Sequence, residues 1–402
     1  MASCDQPGLI PYDQALAELL KEAQASAKTE TVKLEHAVGR VLAEQSVATV
    51  NVPPADNSSM DGYAVDAASI VPGVMYPISQ RVVAGHAPSA LDPGAVARIF
   101  TGAEIPEGAN AVVMQEAVSL APGGVIFGES VRQGQYVRKA GQDIKRGDIV
   151  IPVGTRLQPA DIGVLASTGN ECLDVFKPLK VAILSTGDEL VDPGQPLESG
   201  QIYNSNRYVL MALLKKLGME PVVIGRVQDS LDATVDALLQ AAELADCIIS
   251  TGGVSVGEED HVRQAVEMVG HINIWRLKIK PGKPLAFGRI KGIPFFGLPG
   301  NPASTLVTFC ILARPFLLSM QGIKHQRDLS YRLPAGFSQA AGSRQEYVRV
   351  RLDGGELVAF GNQNSGVLSS ASWADGLAVI PPEIEISKGD MLTFLPFTEL
   401  LG

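Results

Sequence analysis

The chain is 402 residues long, with 46% hydrophobic and 19% charged residues, a composition typical of a folded protein of several domains. It contains 33 lysines and arginines against 43 aspartates and glutamates, which gives a formal net charge of −10. Because there is no overall basic field, we expect neither nucleic acid nor a membrane surface as a partner. A local basic site must therefore hold any anionic ligand.

The cysteine pattern and the apolar segments restrict the compartment. The N-terminal segment MASCDQPGLIPYDQ lacks the basic and apolar regions of a secretory signal. The apolar stretch LVTFCILARPFLL is interrupted by Arg314 and Pro315, which predicts a buried helix rather than a membrane anchor. The cysteines form no CxxC pair and no cluster with histidines, which argues against a zinc site or a disulfide scaffold. We therefore expect a cytoplasmic protein.

The N-terminal third combines helical and β-rich signals. Apolar residues at helical spacing over 12–27 predict an amphipathic helix within the N-terminal segment 1–27. A second short helix is expected over 34–44. Residues 28–46 and 148–178, the latter containing the helical signal PADIGVLAST, are predicted to complete one small mixed domain.

An inserted β module is predicted at residues 47–147, after the turn-rich stretch NVPPADNSSMDG. Its strand signals VARIF, AVVMQ and VIF alternate with the turns PEGAN, APGG and RQGQ. At 179–326, strands alternate with long helices, which predicts an α/β domain with a parallel sheet covered on both faces. Residues 327–402 return to short strands and predict a small β-barrel or sandwich.

Polar, glycine-containing loops follow the strands of the α/β domain, in VAILS-TGDEL, CIIS-TGGVSVGEED and FFG-LPGNPAS. Ligands bind at the carboxyl ends of parallel strands, so one crevice should collect these loops. Backbone N–H groups at Gly252 and Gly253, with the hydroxyl of Ser255, have the chemistry to hold a phosphate. The alternative is that such loops serve chain geometry alone.

The segment KIKPGKPLAFG presents Lys278, Lys280 and Lys283 around a Pro-Gly turn. Two ammonium groups that point into the crevice would form a compact site for a tetrahedral oxyanion. The alternative is a solvated basic turn without a ligand.

Three carboxylates follow strands of the same domain. Glu189, Asp229 and Asp260 would together hold Mg²⁺ between phosphate oxygens. Alternatively, the aspartates cap the helices that follow them. Ser255 is near His261 in sequence, but no GxSxG elbow surrounds it, so we expect no hydrolytic triad.

A series of ordered motifs carries a specific resemblance: PADNSSMDGYAV, RIFTGAEIPEGANAVVMQE, VRKAGQDI, ILSTGDEL, STGGVSVGEED, IKPGKPLAFG and GLPGNPAS. In this order they resemble the MoeA family, the molybdopterin molybdenumtransferases, over nearly the whole chain. The resemblance implies a multidomain α/β plus β protein. Its N-terminal helix packs on a MogA-like α/β domain (179–326), and a β-barrel (327–402) ends the chain. It also implies a cytoplasmic homodimer that inserts molybdate into adenylylated molybdopterin with Mg²⁺, releasing AMP and forming molybdenum cofactor.

Site residues follow from the resemblance position by position. Those at the pterin and molybdate sites of the α/β domain are Ser255, Asp260, Lys280, Lys283, Pro284 and Ser304, to which the glycine-rich loop adds Gly252 and Gly253. Arg344, with Ser370 or Ser372, reaches in from the C-terminal domain. Glu189 and Asp229 match acids needed for insertion, and the dimer-related cleft is matched by Asp61, Thr101, Arg138 and Asp143.

Two features of this assignment have alternatives. Asp61 and Thr101 are also suited to organising a tight turn. Asn204 in GQIYNSNRY stands where some relatives are expected to carry an acid, which puts a metal-binding role for that position in doubt.

The motifs leave other functions to be weighed. The alternatives are a MogA-type molybdopterin adenylyltransferase, which lacks the β modules, and a gephyrin-like scaffold, which needs a further domain and a linker. Partners of the transferase would be a MogA-type adenylyltransferase and the molybdoenzymes that receive the cofactor. Molybdate and tungstate both suit the expected oxyanion site.

Overall fold

The computed structural model describes residues 8–25, 28–228, 230–252, 261–323 and 329–401. Two compact units are present: a larger unit of 1–30, 39–43 and 175–402, and a smaller unit of 31–38 and 44–174. The α-helices are α1 (Tyr12–Glu22), α2 (Pro159–Ser167), α3 (Ser205–Lys216), α4 (Leu231–Leu244), α5 (His261–Val269), α6 (Pro302–Thr308), α7 (Arg314–Met320), α8 (Ser369–Trp373) and α9 (Phe397–Leu400).

The β-strands are grouped by their position in the chain, before or after residue 178. Before it lie β1 (Leu9–Ile10), β2 (Thr29–Lys33), β3 (Ser46–Val47), β4 (Asn57–Ser58), β5 (Gly62–Val65), β6 (Met75–Tyr76), β7 (Ile78–Val82), β8 (Val96–Ile99), β9 (Ala111–Met114), β10 (Val118–Ala121), β11 (Gly124–Phe127), β12 (Val137–Arg138), β13 (Ile149–Ile151) and β14 (Cys172–Phe176). After it lie β15 (Lys180–Thr186), β16 (Leu190–Val191), β17 (Ile202–Tyr203), β18 (Glu220–Val227), β19 (Cys247–Thr251), β20 (Gly270–Leu277), β21 (Ile279–Lys280), β22 (Pro284–Ile290), β23 (Ile293–Leu298), β24 (Tyr331–Pro334), β25 (Gln345–Asp353), β26 (Glu356–Ala359), β27 (Gly376–Ile380) and β28 (Met391–Pro396).

A seven-stranded sheet in the order β1-β20-β22-β23-β19-β15-β18 lies at the centre of the larger unit. Strands β18, β15, β19 and β23 are parallel, as the alternation of strands and helices predicts. Strand β22 is antiparallel to both of its neighbours, so the sheet is mixed and the prediction of a parallel sheet is wrong at this strand. The reason is local: Lys291 and Gly292, with φ values of 50° and 87°, form a two-residue hairpin turn, and such a turn joins antiparallel strands.

Helices cover both faces of this sheet. Along β15, Val181 and Ile183 pack into one core with α1, α3, α6 and α7. Ala182 and Leu184 alternate with them and pack into a second core with α4 and α5. The N-terminal helix α1 contributes Ala15 and Leu19, both fully buried, to the first core.

Helices α6 and α7 are joined through a π-helical turn, Phe309–Ala313. Among the described residues, this stretch, Pro302–Met320, is the helix long and apolar enough to cross a membrane. Its most apolar window is 94% buried inside the protein. The prediction of a buried helix is confirmed.

The C-terminal segment forms a sheet in the order β21-β25-β27-β28-β24, with β26 paired to β25. Ala335, just after β24, forms a bridge with Leu357 of β26, which links the two ends of this sheet. The closed barrel itself stays a prediction.

The smaller unit contains a four-stranded sheet, β7-β8-β5-β9, and a three-stranded sheet, β10-β11-β6. Helix α2 begins at Pro159, where the carboxylate of Asp161 accepts a hydrogen bond from the N–H of Gln158 at 2.7 Å. The short helix expected over 34–44 is wrong, because only a 3₁₀ turn, Leu34–His36, forms there. Gly39, with a φ of 78°, takes the chain out of the helical conformation.

Candidate functional site

A cavity of about 620 Å³ lies in the larger unit at the carboxyl ends of β19 and β23. The loops after these strands approach closely, since a Cβ on Gly300 would lie 3.6 Å from the Cα of Gly252. The residues that line the cavity are Gly252, Lys280, Pro281, Gly282, Lys283, Pro284, Pro299, Gly300, Asn301, Ser304, Arg344, Gln363, Asn364 and Ser365. The predicted crevice is therefore formed, with the C-terminal sheet supplying its remaining wall.

Three cationic side chains, Lys280, Lys283 and Arg344, line this cavity, and none of its described lining residues is acidic. In a chain with a net charge of −10, this is a local basic site. Lys280 is already paired: its Nζ lies 3.1 Å from Oε1 and 3.2 Å from Oε2 of Glu346. An anion in the cavity would compete with Glu346 for this ammonium group.

The Pro-Gly turn that carries the lysines is held against α6. Gly282 has a φ of 98°, and a Cβ at this position would lie 2.3 Å from Oγ1 of Thr308. The N–H of Leu277 donates to the carbonyl of Lys283 at 2.7 Å, which closes the turn. Only glycine adopts this positive φ readily and also lacks the Cβ that would meet Thr308. Gly282 therefore allows the close approach to α6 that places Lys280 and Lys283.

The GLPGNPAS loop leads into α6 at the edge of the cavity. Ser304, 3% exposed, lines the cavity from the first turn of this helix. The N–H of Ala303 donates to the carbonyl of Ser365 at 2.9 Å. This bond joins the start of α6 to the C-terminal segment, so both modules contribute backbone to one wall.

A second cavity, of about 260 Å³, adjoins the first and shares Gly252, Gly300 and Asn301 with it. Glu189 lines it. A Cβ on Gly187, whose φ is 135°, would lie 2.3 Å from Oε2 of Glu189. The Glu189 carboxylate thus lies over Gly187, and a Cβ at this position would make the Glu189 side chain shift.

Asn204, whose role the sequence left open, begins helix α3. Its Oδ1 accepts a hydrogen bond from the N–H of Arg207 at 3.1 Å, and the residue is 5% exposed. This is the geometry of a helix N-cap, in which a neutral amide serves as well as an acid.

The proposed Mg²⁺ ligands are described only in part. Glu189 lines the second cavity, as do Thr186 and Thr251. Oxygen donors of this kind suit Mg²⁺. Asp229 and Asp260 lie outside the described residues, as do Gly253 and Ser255. Within the described ranges no three His, Cys, Asp or Glu side chains form a metal cluster, and the Mg²⁺ site stays a prediction.

The C-terminal residues expected at the site are placed differently from one another. Arg344 lines the cavity, and its Nη1 donates to the carbonyl of Ile279 at 3.3 Å. Ser370 is fully buried and accepts a hydrogen bond from Nε of Arg349 at 3.0 Å. Ser372 is exposed on α8. Neither serine is among the residues that line the cavity; Gln363, Asn364 and Ser365 take that place.

Arg349, which the sequence analysis did not single out, anchors this lining loop. Its side chain is 1% exposed, and burial lowers its pKa to about 10. Nη2 donates to the carbonyl of Asn364 at 3.2 Å, and the Gln363 amide bonds both the N–H and the carbonyl of Arg349 at 3.0 and 2.9 Å. In the sequence, the polar turn GNQNSG is the pattern that could have indicated this lining loop.

The remaining predicted residues lie in the smaller unit. Oδ1 of Asp61 accepts hydrogen bonds from the N–H and the hydroxyl of Thr101, both at 2.8 Å. These bonds lower the pKa of Asp61 below its ordinary value. Arg138 is exposed at the end of β12, and the N–H of Asp143 donates to the carbonyl of Val52 at 3.0 Å. The structure thus pairs Asp61 with Thr101, and the roles of all four residues stay predictions.

Comparison with known families accounts for these modules in order. Residues 10–169 match the "MoeA N-terminal region (domain I and II)", and 182–319 match a "Probable molybdopterin binding domain". Residues 332–397 match the "MoeA C-terminal region (domain IV)". The chain belongs to the MoeA family.

Full-length relatives agree with this assignment. A Haemophilus influenzae protein named molybdopterin molybdenumtransferase is 38% identical over 98% of this chain and 100% of its own length. A Nostoc protein of the same name is 37% identical over 95% of this chain and 92% of its own length. A crystal structure of the molybdopterin biosynthesis MoeA protein of Pyrococcus horikoshii covers 97% of this chain and 99% of its own, at 31% identity and a TM-score of 0.83. The fold and the family are therefore shared along the whole chain.

Proposed function

We propose that this member of the MoeA family is a transferase of molybdenum cofactor biosynthesis, which inserts molybdate into adenylylated molybdopterin and releases AMP. The observation that carries the proposal is the basic cavity at the carboxyl ends of β19 and β23, lined by Lys280, Lys283 and Arg344. Molybdate and the phosphates of the adenylylated pterin are all anions. Their encounter is opposed by like-charge repulsion, which positioned cations relieve.

Within this proposal the two adjoining cavities hold different parts of the reactants. The cationic cavity binds the oxyanion, with Ser304 and the backbone beside Pro284 completing its wall. The Gly252 loop, continued by Gly253 and Ser255, binds phosphate. Glu189, in the adjoining cavity, lies next to the linkage that releases AMP. The protein thus positions the reactants and neutralises their charge without a covalent intermediate.

Glu189, Asp229 and Asp260 would hold Mg²⁺. When bound, the ion would supply charge neutralisation at the phosphate oxygens. The Glu189 carboxylate lies over Gly187 and lines the adjoining cavity.

The proposal extends to assembly and compartment. We infer a cytoplasmic homodimer in which Asp61, Thr101, Arg138 and Asp143 complete the cleft. We also infer that the chain consists of an N-terminal helix at 1–27, one small linking domain formed by 28–46 and 148–178, an inserted β module at 47–147, an α/β domain at 179–326 and a C-terminal β-barrel at 327–402. Light scattering at micromolar concentration tests the dimer, and a monomer mass would contradict it.

Turnover separates the proposal from the adenylyltransferase alternative. Purified protein is mixed with adenylylated molybdopterin and molybdate, and AMP is quantified. In parallel it is mixed with molybdopterin and ATP, and ATP consumption is followed. We expect molybdate-dependent AMP release in the first mixture and no ATP consumption in the second. The opposite pattern would assign the chain to the adenylyltransferases.

A further inference from the structure

Glu189 lies in the segment that connects the end of β15 with the start of α3, from Gly187 to Asn204. Its short strands β16 and β17 pair with each other through two residue pairs. The carbonyl of Glu189 accepts from the N–H of Ile202 at 2.8 Å, and that of Val191 accepts from the N–H of Asn204 at 2.9 Å. The backbone of Glu189 is thus part of this small ladder.

A cavity adjoins the ladder. It measures about 200 Å³ and is lined by Leu190 and Val191 of β16, by Ser185 and Gly225 of the main sheet, and by Asp192 and Arg207. The second cavity of the site also reaches Leu190. A strand that borders cavities has fewer van der Waals neighbours, so a further attachment at its end helps to hold its place.

A side-chain ion pair supplies that attachment. Asp192 directly follows β16, and its Oδ1 binds Nη2 of Arg207, which lies in the first turn of α3. Arg207 is 8% exposed, and its guanidinium also stacks over the ring of Tyr208 at 5.1 Å. A nearly buried guanidinium held by its own helix is a rigid anchor, and Asp192 is the partner that links it to the ladder.

We infer that Arg207 is a positioning residue for Glu189, acting through Asp192, a role that rests on the function proposed above. Arg207 does not line either of the two cavities that hold the reactants. Through Asp192 it fixes the end of β16 three positions from Glu189. The pair therefore sets where the Glu189 carboxylate lies relative to the phosphate-binding loop.

The test uses a graded set of variants in the full chain. Asp192→Ala removes both the charge and the hydrogen-bond acceptor, whereas Asp192→Asn keeps an acceptor oxygen. Glu220→Gln is the matched control, because it removes an exposed pair with Lys180 (3.7 Å) that joins β15 and β18 of the same sheet. Asp192 is 54% exposed at its side chain, so its variants are expected to fold.

Two readouts are measured on each variant: hydrogen–deuterium exchange of peptides covering 188–204, and the kinetics of AMP release as molybdate is varied. For Asp192→Ala we expect faster exchange confined to these peptides. We also expect a maximal rate lower by roughly tenfold to a hundredfold, the scale of a misplaced catalytic group. Half-saturating molybdate should stay within about twofold of wild type, because the cationic cavity is not altered. Asp192→Asn should recover part of the rate.

The outcomes separate the possible failures. If Asp192→Ala lowers Tm but leaves local exchange and the rate per folded molecule equal to those of Glu220→Gln, the pair is structural only and the inference is wrong. A parallel rise in half-saturating molybdate and fall in rate would also overturn it, because the effect would then reach the oxyanion site. If wild type itself releases no AMP, the proposed function fails, while the exchange data still decide whether Asp192 and Arg207 anchor the ladder.

Discussion

Substitution of Gly282 by alanine tests how the basic turn is held at the cavity. The new methyl group would lie 2.3 Å from Oγ1 of Thr308, which is fully buried in α6. The backbone φ of 98° adds strain of roughly 1 kcal/mol for any residue with a Cβ. Overpacking against a buried helix adds roughly 1–3 kcal/mol. We expect a loss of about 2–4 kcal/mol, which lowers Tm by roughly 5–15 °C in a unit of this size.

Gly292 provides a matched control for the backbone contribution. Its φ is 87°, and nothing lies within 4 Å of a Cβ built on it. Gly292→Ala should therefore show only the backbone strain of roughly 1 kcal/mol. The double variant Gly282→Ala/Thr308→Ala removes the hydroxyl that clashes and should regain most of the difference between the two single variants.

The assay combines thermal unfolding with titration of molybdate against AMP release. Gly282→Ala should raise half-saturating molybdate as well as lower Tm, because the turn displaces Lys280 and Lys283 together. Gly292→Ala should leave half-saturating molybdate unchanged. Equal effects of the two glycine substitutions on both readouts would refute the close approach of the turn to α6.

Three further predictions concern single side chains, two in the larger unit and one in the smaller unit. Lys283→Ala removes a charge-assisted contact of roughly 1.5–3 kcal/mol, so the concentration of molybdate at half-saturation should rise roughly tenfold to a hundredfold. Lys283→Arg should restore only part of this affinity. An unchanged half-saturation concentration in Lys283→Ala would place the oxyanion elsewhere. Glu189→Ala should leave Tm nearly unchanged and abolish AMP release, and a large fall in Tm would instead show a structural role. Thr101→Val removes one hydrogen bond to Asp61 and should raise the pKa of that carboxyl, measured by NMR. The stability from the lowered pKa is present above the ordinary value of 3.8 and is lost as pH falls from there through the folded value, so in the variant this contribution should be smaller and its loss should be complete at a higher pH.

Local sequence patterns predicted the parts of the fold that local physics determines. The helical spacing over 12–27 and the strand–helix alternation after residue 179 correspond to α1 and to the parallel core of the sheet. Strand direction at β22 was not predictable in the same way. Its antiparallel pairing depends on the two-residue hairpin at Lys291 and Gly292, which the alternation of strands and helices does not indicate.

The candidate site was predictable as a set of motifs but not as a set of contacts. Loops that follow neighbouring parallel strands must meet, so the grouping of Gly252 with Gly300 followed from topology. The pairing of Lys280 with Glu346 depends on the register of β21 with β25, and Arg349 is hydrogen-bonded by residues far along the chain, Asn364 and Ser370. Arg349 alternates with apolar residues in YVRVRL, a pattern that gives no sign that an arginine is buried.

The central claim is that the basic cavity of this chain binds the oxyanion that is inserted into the cofactor. The direct measurement is anomalous diffraction at the molybdenum edge from crystals soaked with molybdate and adenylylated molybdopterin. The account predicts an anomalous peak inside the cavity lined by Lys280, Lys283, Ser304 and Arg344, and its loss in crystals of Lys283→Ala. A peak outside this cavity in wild type, or one that persists unchanged in Lys283→Ala, would contradict the account.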